Sequence, residues 1–128
     1  MFSFDHTGEP YQECDPQVSP VNVLVTGGTG FIGGHVVRGL TKQSHKGVAL
    51  DSIPDTDWLK DVADRITIVR GDVQDLATVV GTIKKFQITH VVHTASLLTV
   101  SSQERPWIAL NVNVVGTVNI LEASRIMD

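Results

Sequence analysis

Two hydrophobic rhythms alternate along this chain. A continuous apolar run over 21–26 (VNVLVT) predicts a strand buried on both faces. It passes through a glycine-rich turn into apolar positions at helical spacing over 31–43. The short run 47–51 (GVALD) predicts a second strand. After Pro54, the residues Trp58, Leu59 and Val62 share one face of a short helix over 55–64. A third strand is expected over 66–71 (ITIVRG). Asp75 then stands where a helix needs an N-cap, ahead of Leu76, Val79, Val80, Ile83 and Phe86 at helical spacing. The fourth strand is expected over 88–95 (ITHVVHTA). A long helix follows over 106–127, with Ile108, Val112, Val115, Ile120 and Ala123 suited to its buried side. Strands alternating with helices predict right-handed βαβ units, hence an α/β fold with a parallel sheet of about four strands flanked by helices. Residues 1–20 differ. They carry three of the five prolines, several acids and no apolar periodicity, so they read as a flexible extension ahead of a globular unit over 21–128.

The turn between the first strand and its helix carries the chemistry. Gly27, Gly30 and Gly33 fall in the spacing G-x-x-G-x-x-G. Gly27 lets the backbone turn sharply, Gly30 leaves room for a pyrophosphate to approach the main chain, and Gly33 permits close helix–strand packing. The helix N-terminus adds unpaired amides and a positive dipole end. The same glycines could form a βα turn that binds nothing, but strand and helix on either side favour a nucleotide. Asp51 ends the second strand, roughly 20 residues after the turn, where a carboxylate grips a ribose hydroxyl pair. The next basic residue is Lys60, so a 2′-phosphate would meet Asp51 as an unrelieved like charge; this favours NAD over NADP. The plainer reading of Asp51 is a strand cap or the start of the SIPD turn. Asp72, in GDV, lies where it could accept from an adenine amino group with the Val73 backbone alongside. An ordinary turn aspartate fits almost as well.

Composition narrows the function classes. With 128 residues and 41% hydrophobic content, the chain holds one ordinary domain with a packed core. A net charge of -4 supplies no footprint for nucleic acid or an anionic membrane. No apolar run approaches the roughly 20 residues of a membrane span, and the N-terminus lacks the pattern of a secretory signal. The single cysteine, Cys14, excludes an internal disulfide and makes a cytoplasmic location the default. His90 and His93 have H-x-x-H spacing but point to opposite faces of a strand, so no shared metal is expected. Ser96, Thr99, Ser101 and Ser102 read as a polar loop at the mouth of the crevice, either touching nicotinamide or substrate or simply solvated. The acids and lysines over 55–65 read as a solvated helix face.

Five ordered segments, TGGTGFIGGH, ALD, VRGDVQD, VVHTAS and NVNVVGTVNILEAS, resemble the extended short-chain dehydrogenase/reductases. That family includes nucleotide-sugar epimerases and dehydratases and hydroxysteroid-dehydrogenase-like reductases. The likeness covers nearly all of 21–128 and implies a Rossmann fold with an NAD(P) cofactor. By resemblance, Gly27, Thr29, Gly30, Phe31, Ile32 and Gly33 surround the pyrophosphate, and Asp51 holds the adenosine ribose. Asp72 and Val73 border the adenine, the backbone of His93, Thr94 and Ala95 lies beside the nicotinamide ribose with Ser96 following, and Asn113 is the structural asparagine near the active site.

Catalysis in that family rests on a Tyr-x-x-x-Lys pair, the lysine lowering the pKa of the tyrosine acid/base. The one tyrosine here is Tyr11, and the residue four further on is Asp15. No residue is therefore assigned as catalytic. The chain stops where the family would begin a fifth strand. The expectation is a cofactor-binding N-terminal half without turnover of its own, either a truncation or a piece of a longer protein. A small-molecule substrate would enter only in the complete protein. In the strand order 3-2-1-4-5-6, strand four would then be a bare edge and a route to self-association. A non-catalytic nucleotide-binding or redox-sensing module is the alternative, and a bare interaction surface the third. Three positions depart from the family pattern. Ser44 stands where the first helix usually ends in glycine, Gly47 should weaken its strand, and Arg105-Pro106 puts a positive charge at a helix N-terminus.

Overall fold

The computed structural model describes residues 19–127. The expected extension, through residue 18, lies outside the described residues together with Tyr11 and Cys14. The elements in order are β1 (Asn22–Thr26), α1 (Phe31–Lys42), β2 (Lys46–Asp51), a 3₁₀ helix (Asp57–Val62), β3 (Ile66–Arg70) and α2 (Leu76–Phe86). Then come β4 (His90–His93), α3 (Thr99–Glu104), α4 (Pro106–Leu110), a π-helical turn (Asn111–Val115) and α5 (Gly116–Met127). The four strands form one parallel sheet in the order β3-β2-β1-β4. This is the sheet the sequence predicts, with β3 and β4 as its edges.

The continuous apolar runs have a simple cause: the central strands are covered on both faces. Val23 and Val25 of β1 join Ala49 of β2 and Val37 of α1 on one face. Leu24 of β1 joins Val48 and Leu50 of β2, with Val79 and Ile83 of α2 and Ile120 and Ala123 of α5, on the other. Period-two alternation therefore sorts neighbouring residues into two cores rather than into core and solvent. Asp75 caps α2 as expected, accepting from the Ala77 amide at 3.0 Å and from the Thr78 hydroxyl. Those two donors hold its carboxyl below the usual carboxylate range, Thr78 contributing most.

Several expectations need correction. Gly47 lies inside β2. It is buried and paired to Val23 and Ile66, and a Cβ there would only touch Val37 and Leu40 of α1 at 3.7 and 3.8 Å. The segment over 55–64 forms a 3₁₀ helix of six residues, with Leu59 and Val62 buried. Its charged residues are exposed, the solvated face expected, with Asp61 paired to Arg38 of α1 at 2.9 Å. β4 is four residues, not eight, although the Thr89 and Thr94 amides still reach the carbonyls of Asn22 and Thr26. The polar loop contains a helix, α3. The expected long helix over 106–127 carries a π turn at its middle. A π turn takes one residue more than an α turn and so rotates the faces before and after it. Ile120 and Ala123 are buried, while Ile108 and Val115 are exposed.

Ser44 adopts the left-handed φ of 62° that glycine accepts without strain. Replacing Ser44 with glycine should stabilise the fold by about 0.5–1 kcal/mol. Urea titration would measure this; a loss of stability would show that the serine side chain itself holds the turn.

Candidate functional site

The C-terminal ends of the strands open onto a cleft of about 460 Å³. Its floor is the turn after β1. Gly27 has φ +63, and its amide donates to the Leu50 carbonyl at 2.8 Å, tying the turn to β2. The Gly30 amide donates back to the Gly27 carbonyl at 3.0 Å. A Cβ on Gly33 would lie 2.1 Å from the Gly27 oxygen, so the first turn of α1 sits against the end of the strand in a way no other residue permits. Gly30 is the N-cap and offers no side-chain cap. The amides of Phe31, Ile32 and Gly33 thus begin α1 without intrahelical acceptors, at the positive end of a 12-residue helix.

Most of the sequence-predicted residues meet here. Gly27, Gly30, Phe31, Ile32, Gly33, Asp51, Asp72, Val73, Thr94, Ala95 and Ser96 line the cleft, with Leu50, Ser52, Gly71, Leu97, Leu98 and Val112, which the sequence reading did not assign to the site. Thr29 and Asn113 are behind the lining. Thr29 is buried at 3% exposure, and its hydroxyl and amide both donate to Asp51 Oδ2, at 2.7 and 3.2 Å. Asp51 also accepts from the Ile53 amide, so it does begin the SIPD turn while facing the cleft. Asp72 accepts from the amide and side chain of Gln74, the turn geometry of its plainer reading. Asn113 grips the loop after β4: its side chain accepts from the Leu97 amide at 2.8 Å and donates to the Leu97 carbonyl at 3.0 Å. It shapes the wall of the cleft rather than its surface.

Behind that wall runs a polar chain whose side-chain bonds sequence reasoning did not foresee, although it drew His93 and Asn113 to the site. The Thr26 hydroxyl is fully buried and lies 2.6 Å from His93 Nδ1, while accepting from the Thr94 and Ala95 amides. His93 Nε2 is 3.1 Å from the Thr117 hydroxyl, which donates to the Asn113 carbonyl. Donor counting assigns the protons. Thr117 has given its hydrogen away, so His93 Nε2–H donates to it, and the Thr26 O–H donates to Nδ1. The neutral ring completes every bond. Burial holds the His93 pKa below its ordinary value of 6.5. The one sequence signal was a threonine at the end of an otherwise apolar strand. His90 is exposed and bonds the Thr89 hydroxyl instead, so the two histidines serve separate surroundings.

A glycine turn feeding an open helix N-terminus, a carboxylate at the end of β2 and a cleft at the strand ends form one constellation. The family model for GDP-mannose 4,6 dehydratase matches residues 24–128. The putative UDP-glucose 4-epimerase of Methanocaldococcus jannaschii is 34% identical over 107 residues, covering 83% of this chain and 34% of its own length. The human 3 beta-hydroxysteroid dehydrogenase type 7 is 34% identical over 115 residues, covering 84% and 30%. Among solved structures, the Thermus thermophilus UDP-glucose 4-epimerase in complex with NAD superposes with a TM-score of 0.72 at 37% identity, covering 82% of this chain and 34% of that one.

The chain belongs to the NAD-dependent epimerase/dehydratase family.

Its family is thus the extended short-chain dehydrogenase/reductases, and the chain spans about a third of the length of these relatives. As an epimerase/dehydratase-type Rossmann unit it carries the strand order and the glycine turn. No described helix is long and apolar enough to cross a membrane.

The lowered His93 pKa has a consequence for stability. Between pH 6.5 and the lower folded value, the unfolded chain binds this proton and the folded chain does not. Stability is therefore fully present above about pH 6.5 and is lost as pH falls through the folded pKa. His93→Gln keeps an acceptor and a donor without titrating. Denaturant midpoints measured from pH 8 to pH 4.5 should fall less steeply for this variant, and parallel curves would rule the histidine out.

Proposed function

We propose that this chain binds NAD in the cleft, as the cofactor-binding half of an epimerase, dehydratase or dehydrogenase of its family. The observation that carries this reading is the row of unpaired amides at Phe31, Ile32 and Gly33, opening onto a cleft whose floor is the Gly27 turn. Those amides and the helix dipole suit a pyrophosphate. The Asp51 carboxylate, steadied by Thr29, suits the adenosine ribose hydroxyls. Asp72 and Val73 border the adenine end, and Thr94, Ala95 and Ser96 the nicotinamide ribose. NAD, when bound, supplies a hydride acceptor at its nicotinamide ring. The residues of this chain bind and orient, and none of them is assigned to proton transfer.

NAD is preferred to NADP on electrostatic grounds. Next to Asp51 is a second hollow lined by Thr29, Gly30, Phe31, Asp51, Ile53, Asp55 and Trp58, with two carboxylates and no cation. A 2′-phosphate directed there meets like charge on two sides. Several solved relatives support the same cofactor, among them the Brucella ovis UDP-glucose 4-epimerase in complex with NAD at 33% identity and a TM-score of 0.72.

Calorimetric titration tests this directly. NAD should bind with an affinity at least about tenfold above that for NADP, the scale of one screened charge repulsion. Gly30→Val should abolish binding, and Asp51→Asn should narrow the difference between the two cofactors. A folded chain that takes up neither dinucleotide would sink the proposal.

A further inference from the structure

The sequence assigns Gly33 a role and leaves Gly34 without one. A Cβ at Gly34 would lie 2.3 and 2.4 Å from Cζ2 and Cη2 of Trp58, so this second glycine is the seat of an indole ring. Trp58 comes from the 3₁₀ helix beyond β2 and reaches across to the glycine turn. Its Nε1–H donates to the Thr29 carbonyl at 2.9 Å. The ring is held from several sides. The Arg38 guanidinium lies 4.5 Å from its centroid, and Phe31 stacks on it at 6.4 Å with an interplanar angle of 18°. Arg38 is itself fixed by Asp61 and donates to the Trp58 carbonyl.

The peptide joining Thr29 to Gly30 is consequently clamped at both ends. Its carbonyl accepts from Trp58, and its N–H donates to the Gly27 carbonyl at 3.0 Å. It immediately precedes the open amides of α1. The Thr29 hydroxyl extends the same arrangement, donating to Asp51 at 2.7 Å and accepting from the Asp55 amide at 3.2 Å. We propose that Trp58 is a positioning residue for the phosphate turn. Its indole N–H orients the Thr29–Gly30 peptide and thereby sets the helix amides and the Asp51 carboxylate at one fixed separation. Gly34 is kept small to admit the ring. This inference rests on the NAD-binding reading.

Trp58→Phe removes the N–H and the two atoms that lie over Gly34 but keeps an aromatic ring beside Arg38. NAD and ADP-ribose affinities of the wild-type chain, Trp58→Phe, Gly34→Ala and the double variant are measured by calorimetry beside their thermal midpoints. Trp58→Phe should weaken both ligands about tenfold, the net worth of one well-placed hydrogen bond, and Gly34→Ala at least as much. In the double variant the alanine should add less than about a twofold loss, because the clashing atoms are gone. A purely structural role would lower the thermal midpoint and leave the affinity of the folded chain unchanged, and that result overturns the proposal. Additive losses in the double variant overturn it as well. If the wild-type chain binds no dinucleotide, the NAD reading fails and this inference with it, whereas wild-type binding with an unaffected Trp58→Phe defeats this inference alone. Should Trp58→Phe fail to fold, Trp107→Phe leaves Trp58 as the only indole. Its emission should then shift on saturation with ADP-ribose, and an unchanged spectrum counts against the proposal.

Discussion

The close approach of α1 to the end of β1 is the constraint to which the rest of the cleft refers. Gly33 lies against the Gly27 carbonyl at a distance that leaves no space for a side chain, and Gly27 can reverse the chain there because its φ is positive. From that contact follow the direction of the helix axis, the exposure of its first amides and the width of the opening beneath them. Gly27 is further pinned from the side: a Cβ on it would lie 2.9 Å from the Ala95 backbone, so the loop after β4 is packed onto the same point. The floor and one wall of the cleft are thus parts of a single backbone contact.

Two sets of polar bonds extend this contact outward in opposite directions. On the β2 side, Thr29 ties the turn to Asp51, Asp55 and Trp58. On the β4 side, Thr26, His93, Thr117 and Asn113 tie it to α5 and to the loop that ends at Leu97. Both begin from threonines that are almost wholly buried, Thr26 and Thr29. Buried hydroxyls are costly without partners, and here each is fully used. Among the described residues, no buried side-chain polar atom lacks a partner. The apolar cores hold the sheet together, and these threonine-centred bonds fix the shape of its upper edge.

The fold was largely legible because the information is local and repeated. Apolar runs bounded by turn residues marked all four strands, and Asp75 before Leu76 marked a capped helix. The glycine spacing was legible for the same reason, since only glycine satisfies the contacts at 27 and 33. Where expectation failed, tertiary structure decided. Six residues rich in serine and threonine carry no helical period and favour turns, yet α3 forms between Leu98 and Arg105. A π turn cannot be read from periodicity, and Ile108 and Val115, expected on the buried side, are exposed. Thr29 and Asn113 lie beside the cleft and outside its lining, because a motif names residues near a turn without saying which atoms face the opening. Trp58 was visible only as one apolar position on a short helix. The reason for its type lies 29 residues away, in a carbonyl of the glycine turn.

The parallel sheet also imposes an order of events on the folding chain. β1 is central, and its two partners arrive at very different times: Val23 aligns with Gly47 on one side and with His90 on the other. During synthesis the β1–β2 unit can dock α1 while the other flank of β1 stays unpaired until nearly the whole segment has emerged. Closing so long a loop carries a larger entropic penalty than closing the first, and non-local pairings of this kind slow folding. The Thr26–His93 bond, across 67 residues, belongs to this later pairing. The cleft wall that follows β4 depends on this pairing, whereas the glycine turn needs only β1, β2 and α1.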